Sequence, residues 1–378
     1  MKFGTKLIHN GNDTDKMTGA LSIPIYQAST YHQEDIDNPP EFDYSRSGNP
    51  TRKALENTIA ILEGGERGFA FSSGMAATSS VLSIFAAGDH VIVCEDVYGG
   101  TYRISNTFFK RFNLEVTFVD ASKLEDIRRN IKDNTKAIFL ETPSNPLLRI
   151  TDLRGAVGIA RERRLLTIID NTFMSPYLQR PLELGVDIVI HSATKFIGGH
   201  SDVVAGLVVV KDSELSKKVY AVQNGFGAIL GPQDSWLLLR GVKTLKVRLD
   251  YQQKNAQVIA EWLEKHSKVK EVNYPGLQNH AGREVHYSQA DGAGAVLSFK
   301  TADDETARSF MKNIRLAAVA VSLGGVETIV SYPVRMSHAS IPKKERERLG
   351  ITDTLIRVSV GIEEVEDLVE DFDKALFR

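Results

Sequence analysis

Leu165-Leu166-Thr167-Ile168-Ile169-Asp170-Asn171-Thr172 and Ile188-Val189-Ile190-His191-Ser192-Ala193-Thr194-Lys195 are the two stretches whose reading decides the fold. Each is a short run of apolar, mostly β-branched residues that stops abruptly at a polar cluster. Few polar residues interrupt either run, so both faces of each strand are expected to be covered. Working outward, five more runs of this kind occupy residues 68–71, 90–94, 115–119, 137–141 and 207–210. Helical patterns separate many of them, at 76–85, 124–131 and 153–163. Buried strands alternating with helices predict an α/β fold built on a large, mainly parallel, seven-stranded sheet. Ligands bind such sheets beyond the carboxyl ends of the strands, so the polar clusters that end the runs are the places to look for chemistry.

The rest of the chain surrounds that sheet. A helical stretch at 245–265 carries Val258, Ile259, Trp262 and Leu263 as an expected apolar stripe. Strand candidates at 295–299 and 355–360 and a final helix at 364–376 read as a smaller α+β part, and that helix opens on acidic residues as its dipole favours. Residues up to about 46 are polar and irregular, and such an arm is either disordered or docked on a partner. The expected organisation is therefore an arm at 1–46, a large domain at 47–246 and a C-terminal domain at 247–378.

Composition removes several classes of function. The chain has 378 residues, 42% apolar and 25% charged, with a formal net charge of −2. That balance predicts no nucleic-acid footprint and no polybasic membrane anchor. Arg240, Lys243, Lys246 and Arg248 are expected to be a solvated helix face. The one cysteine, Cys94, sits inside an apolar run and reads as inert core; with no partner for a disulfide, it suits a reducing compartment. The N-terminal segment has no signal-peptide core and no run is long enough to span a membrane, so a cytoplasmic location is expected. The histidines form no HExxH, and no metal site is expected.

The strand ends carry the chemistry. Ser72-Ser73-Gly74-Met75-Ala76-Ala77 is a small-residue turn opening a helix, where free N–H groups suit a phosphate; a tight turn also needs such a glycine for its own sake. Neither a Walker A loop nor a dinucleotide fingerprint is present. Asp170 at the end of an apolar run is either a helix cap or the partner of a protonated ring nitrogen. Lys195 follows a buried strand between two hydroxyls and a glycine pair, where desolvation makes a lysine nucleophilic. An acid, a lysine and a phosphate turn on neighbouring strand ends fit pyridoxal 5′-phosphate (PLP).

Together with Tyr44-Ser45-Arg46-Ser47-Gly48-Asn49-Pro50-Thr51 and Met336-Ser337-His338, these motifs resemble the Cys/Met-metabolism family of PLP enzymes. The resemblance runs from about Thr5 to Leu376. It implies a PLP-dependent transferase fold of type I, similar to aspartate aminotransferase. It also implies roles by position. Lys195 would form the Schiff base and then move protons, and Asp170 would keep the pyridine nitrogen protonated. Ser192, Thr194 and the N–H groups of Gly74 and Met75 would hold the phosphate, and Tyr98 would stack on the ring. Asn145 would lie near the phenolic oxygen, and Arg357, assisted by Ser322, would clamp the substrate α-carboxylate. Tyr44 and Arg46 would reach the phosphate of a neighbouring subunit, which implies a homotetramer built as a dimer of dimers with shared active sites.

The choice of reaction rests on fewer residues. The resemblance places a glutamate before the Ser322 position in typical cystathionine γ-lyases and γ-synthases; here that residue is Val321, which resembles plant-type β-lyases and methionine γ-lyases instead. Methionine γ-lyases carry a reactive cysteine where Gly100 stands. Asp43 and Arg103 are either contacts for the distal end of a cystathionine-like substrate or surface charges. The expectation is a C–S lyase that converts L-cystathionine to L-homocysteine, pyruvate and ammonia. The alternatives are a γ-lyase giving cysteine and 2-oxobutyrate, a γ-synthase or O-acetylhomoserine-dependent transferase, and a catalytically silent regulatory homologue.

Overall fold

The computed structural model describes residues 1–9, 14–339 and 341–377; positions 10–13 of the expected arm and positions 340 and 378 of the expected C-terminal domain lie outside the described residues. The larger sheet contains β1 (Arg67–Phe71), β2 (His90–Cys94), β3 (Glu115–Val119), β4 (Thr135–Glu141), β5 (Leu166–Asp170), β6 (Ile188–Ser192) and β7 (Gly206–Val210). Their spatial order is β1-β7-β6-β5-β4-β2-β3. β3, β2, β4, β5 and β6 run parallel, while β7 is antiparallel to both β6 and β1. The reversal has a simple cause. No crossover helix separates β6 from β7, and only a helical crossover returns a chain parallel to itself.

Burial explains why these runs became central strands. Leu207 and Val209 pack with Leu55, Ile59 and Phe196 on one face, whereas Val208 and Val210 pack with Phe71 and Val219 on the other. Full burial of each such side chain favours folding by roughly 1.5–3 kcal/mol, more than the ~1 kcal/mol spanned by intrinsic strand preference.

The helix Leu245–Glu264 leads to a five-stranded sheet of β8 (Val269–Asn273), β9 (Val296–Thr301), β10 (Ala318–Val319), β11 (Ile329–Ser331) and β12 (Leu355–Ser359). That helix buries Leu249, Ala256, Ile259 and Leu263, but Val258 is 40% exposed and Trp262 only half-buried. The stripe expected from the sequence was therefore rotated from the true one, because small and polar residues such as Ala256 and Gln252 also face inward.

The arm is not free of its own chain. Phe3–His9 is helical, and Leu7 is buried against Ala54 and Leu55. Its later part is anchored by the helix Pro50–Glu63, which starts with Asn49 accepting hydrogen bonds from the N–H groups of Thr51 and Arg52 and with Pro50 at its first position. Arg52, 2% exposed, donates to the carbonyls of Ser45 at 2.7 Å and Arg46 at 3.2 Å, and so holds the turn that carries Tyr44 and Arg46. Among the described residues, no helix is long and apolar enough to cross a membrane.

In this strand order the chain direction of assembly reverses between β2 and β4. The carboxyl ends of β2, β4, β5 and β6 therefore open on the crevice where such sheets bind ligands.

Candidate active site

After β6 the chain turns sharply, with the Lys195 N–H on the Ser192 carbonyl at 3.2 Å and the Gly199 N–H on the Lys195 carbonyl at 2.8 Å. Arg248 braces this turn. It is 5% exposed and donates to the carbonyls of Phe196 at 2.8 Å and Gly241 at 2.9 Å. This corrects the sequence expectation of a solvated face. Three of the four basic residues there are less buried, but Arg248 points inward, where burial pulls its guanidinium down to about 10. The Gly199 backbone (φ +76°) lies so close that a Cβ there would meet Arg248 Nη1 at 2.1 Å.

Lys195 Nζ donates to Ser322 Oγ at 2.6 Å. Burial, reinforced by the Arg357 charge and opposed by Asp170, brings the Lys195 amine down to about 8. Asp170 ends β5, the strand beside β6. Burial pushes its carboxyl up from the usual range, against hydrogen bonds from the Thr172 hydroxyl and from the Thr172 N–H at 3.0 Å. The same Thr172 hydroxyl accepts from the Ser192 N–H at 2.8 Å, tying the two strand ends together.

Arg357 lies on β12 of the smaller sheet and is 3% exposed. It donates to Asn145 Oδ1 at 3.0 Å and to the Ser322 carbonyl at 2.6 Å, and its Nε has no partner. Burial pulls it down to about 10, opposed by Tyr98 and Glu141, and among the described residues no carboxylate forms an ion pair with it. His338 closes this corner: Ser337 Oγ donates to its Nδ1 at 2.8 Å, and its Nε2 donates to the Asn145 carbonyl at 3.2 Å.

The helix Gly74–Leu82 starts beside Ser192, and its N-cap Ser73 accepts from the Ala76 N–H. A Cβ on Gly74 would meet Ser192 Cβ and Oγ at 2.9 Å, so only glycine lets the Gly74 and Met75 N–H groups approach this strand end. The Thr194 hydroxyl accepts from the Ala205 N–H at 3.0 Å and faces the Ala205 carbonyl at 3.2 Å; rotation of the O–H frees its proton for another acceptor. Tyr98 is 41% exposed, and a Cβ on Gly100 would meet its ring at 2.5 Å and Met75 Sδ at 2.7 Å.

Lys195, Asp170, Ser192, Thr194, Gly74, Met75, Tyr98, Asn145, Ser322 and Arg357 thus gather around one crevice. Among the described residues, no hydrogen bond or ion pair joins Asp43, Tyr44, Arg46 or Arg103 to Lys195. Asp43 accepts from the Tyr44 N–H, and Arg46 donates to the Asn224 carbonyl at 2.7 Å and to Asn224 Oδ1 at 3.0 Å. Arg103 is exposed on the wall of an apolar groove of about 1010 Å³, shared with Met75, Gly100, Phe108, Phe112 and Phe226. Val321 is 66% exposed, immediately before Ser322. Cys94 is buried, and its thiol is pushed up by burial.

Sequence reasoning missed three supporting groups. Arg248 was read as surface. Glu63 and His191 form a fully buried pair at 2.6 Å beneath the β5–β6 ends, joined by Asn171 Nδ2 at 3.3 Å. Glu141 receives the Tyr98 N–H at 2.9 Å. For Glu141 a signal existed, since it ends an apolar run as Asp170 does. For Arg248 none did, because its burial depends on contacts far along the chain.

The family model described as "Cys/Met metabolism PLP-dependent enzyme" matches residues 4–377. A Bacillus subtilis (strain 168) protein named cystathionine beta-lyase MetC is 57% identical over 372 residues, covering 98% of this chain and 95% of that protein. The cystathionine gamma-lyase of the same organism is 52% identical over 376 residues, covering 100% and 99%. A crystal structure of cystathionine gamma-lyase from Lactobacillus plantarum complexed with L-serine superposes with a TM-score of 0.98 at 47% identity, covering 100% of this chain and 99% of that one. The seven-stranded sheet with its smaller C-terminal companion is thus the type I fold of PLP enzymes. A match of this extent, over a chain whose strand ends assemble a lysine, an acid and a glycine-opened helix, means that the protein belongs to the Cys/Met-metabolism family of PLP-dependent enzymes.

Proposed function

We propose that this PLP-dependent enzyme is a C–S lyase that cleaves L-cystathionine with water to L-homocysteine, pyruvate and ammonia. The observation that carries the reading is the junction of Lys195 and Arg357 at Ser322, which sets a proton-accepting amine beside an unpaired buried guanidinium. The identity to proteins named cystathionine beta-lyase, from Bacillus subtilis at 57% and from Lactococcus lactis at 52%, supports the same choice. So does the apolar Val321.

The residues present fit the cofactor. Gly74 leaves room for an anion at the helix N-terminus, and Ser192 and Thr194 offer hydroxyls there. Among the described residues no cation forms an ion pair with the Asp170 carboxyl, which Thr172 alone serves through its hydroxyl and N–H, and this suits a protonated pyridine nitrogen. Bound PLP supplies the electron sink for charge that develops at the substrate Cα. The chain supplies the rest. Arg357 takes the α-carboxylate through its free Nε edge while Asn145 and the Ser322 carbonyl hold its plane. Lys195 Nζ, steadied by Ser322, removes the Cα proton and, once protonated, can return it to the sulfur departing from Cβ. Residues 47–246 and 247–378 act as cofactor and substrate halves, a division supported by the end of the first sheet at Val210 and the start of the second at Val269.

A γ-lyase activity is the second reading, favoured by the likeness to the two proteins named cystathionine gamma-lyase. Incubation with L-cystathionine followed by product analysis separates them. Homocysteine and pyruvate are expected; cysteine and 2-oxobutyrate as the main products would overturn the β assignment.

The active unit is proposed to be a homotetramer, a dimer of dimers in which residues 1–46 complete a neighbour's site. Tyr44 and Arg46 are exposed, no hydrogen bond among the described residues joins them to their own Lys195, and Arg46 rests on Asn224 beside Phe226. Phe226 is 68% exposed and leads into the apolar groove of Phe108 and Phe112, a surface suited to a second copy. Mixing Arg46→Ala and Lys195→Ala chains should restore activity that neither has alone. A fully active monomer in sedimentation would contradict the shared site. The reading also places the enzyme in the cytoplasm.

A further inference from the structure

Three carboxyl groups end three adjacent strands or their following turns: Asp96 after β2, Glu141 on β4 and Asp170 on β5. Glu141 and Asp170 are register partners on parallel neighbours, so their side chains leave the same face of the sheet. Glu141 is 5% exposed and Asp96 6%. Asp96 is served by the Ser144 hydroxyl. Glu141 has a different partner. It accepts from the Tyr98 N–H at 2.9 Å. Tyr98 begins the helix Gly99–Ile104 without any side-chain cap of its own. One buried side chain thus ties the turn that carries Tyr98 to the end of β4, next to Asp170.

We infer that Glu141 is a positioning residue of the cofactor site, acting as a neutral hydrogen-bond acceptor that holds the Tyr98 turn in place while its register partner Asp170 carries the negative charge. The inference rests on the proposed placement of PLP among these residues.

Electrostatics favours this division. Two carboxylates on neighbouring strand ends cannot both ionise cheaply in a buried site. The groups that face Glu141 are Asp170 from β5, Asp96 and Tyr98 from the turn after β2, Cys94 from β2 and Arg357 from β12. Burial, then Asp170, holds the Glu141 carboxyl well above the usual carboxylate range. Asp170 is the carboxyl that gains a cation when a protonated pyridine nitrogen arrives, so the proton stays on Glu141.

Charge and acceptor roles separate in two variants. Glu141→Gln keeps an acceptor oxygen and adds no charge; Glu141→Ala removes the acceptor. The readouts are the pH midpoint of the visible absorbance of bound PLP, its visible circular dichroism, which follows the orientation of the ring, and PLP affinity. In Glu141→Gln the midpoint and dichroism should match the unsubstituted enzyme. Glu141→Ala should lose dichroism and bind PLP about tenfold more weakly, the loss expected when a buried backbone N–H is left without its acceptor. A fall of the Glu141→Gln midpoint by about one unit or more would mean that a nearby negative charge had been removed, and would overturn the inference. So would a Glu141→Ala variant that matches the unsubstituted enzyme. If Glu141→Ala does not fold, the Glu141→Gln midpoint decides. A failure of the PLP placement itself is read separately, as a visible band that survives Lys195→Ala.

Discussion

Lys195 Nζ and Ser322 Oγ meet at 2.6 Å across 127 positions of sequence. Ser322 sits at φ +87°, a conformation that costs a non-glycine residue about 1–2 kcal/mol. In return its hydroxyl faces Lys195 and its carbonyl faces Arg357. Removing the hydroxyl in Ser322→Ala should leave the fold intact and lower kcat/KM for cystathionine by about ten- to a hundredfold, the usual effect of losing a hydrogen bond to a charged group. Steady-state kinetics check this, and an unchanged kcat/KM would detach Ser322 from the chemistry.

The depressed Lys195 has a consequence for loading. Only the neutral amine attacks an aldehyde, and burial makes Lys195 neutral above about 8 rather than 10.5. The rate of PLP uptake by the apo-protein should therefore rise with pH through a midpoint near 8 and level off above it. Stopped-flow absorbance at fixed PLP measures the profile; a midpoint near 10.5 would show that the amine is not perturbed.

Arg357 depends on its shape as well as its charge. Its two terminal nitrogens are committed to Asn145 and Ser322, and a lysine in its place has one point of contact. Arg357→Lys should raise KM for the amino-acid substrate by about tenfold or more, with PLP still bound. Titration of the variant with substrate, followed by absorbance, tests it.

His338 predicts acid sensitivity. It is fully buried, and burial together with the Arg357 charge pulls it down from 6.5 to about 4. Between those values the unfolded chain binds a proton that folded His338 does not. Stability therefore falls as pH drops through this window, by on the order of 3 kcal/mol from this residue. His286, also pulled down to about 4, adds to the same slope. Urea midpoints measured from pH 7 to 4 should fall, and less steeply in His338→Gln.

The central strands and the polar residues that end them were legible in the sequence. Uninterrupted apolar runs such as Leu166–Asp170 have one good place to go, and a polar cluster at the end of a buried strand must reach the sheet edge. Lys195, Asp170 and the Gly74 turn could be assigned because local residue order is enough to put each on a strand end. Arg248, the buried Glu63–His191 pair and the partner of Glu141 were not legible, since each depends on which distant segment packs against it. The same is true of the arm, whose helix Phe3–His9 found a place on its own chain through Leu7. By itself, then, the sequence determined the seven strands of the larger sheet and the residues at their ends, because hydrophobic periodicity and turn chemistry are local. Only the tertiary structure decided which polar groups are buried, and therefore which lysine is pulled down and which acids are pushed up, because desolvation is the property of a whole neighbourhood.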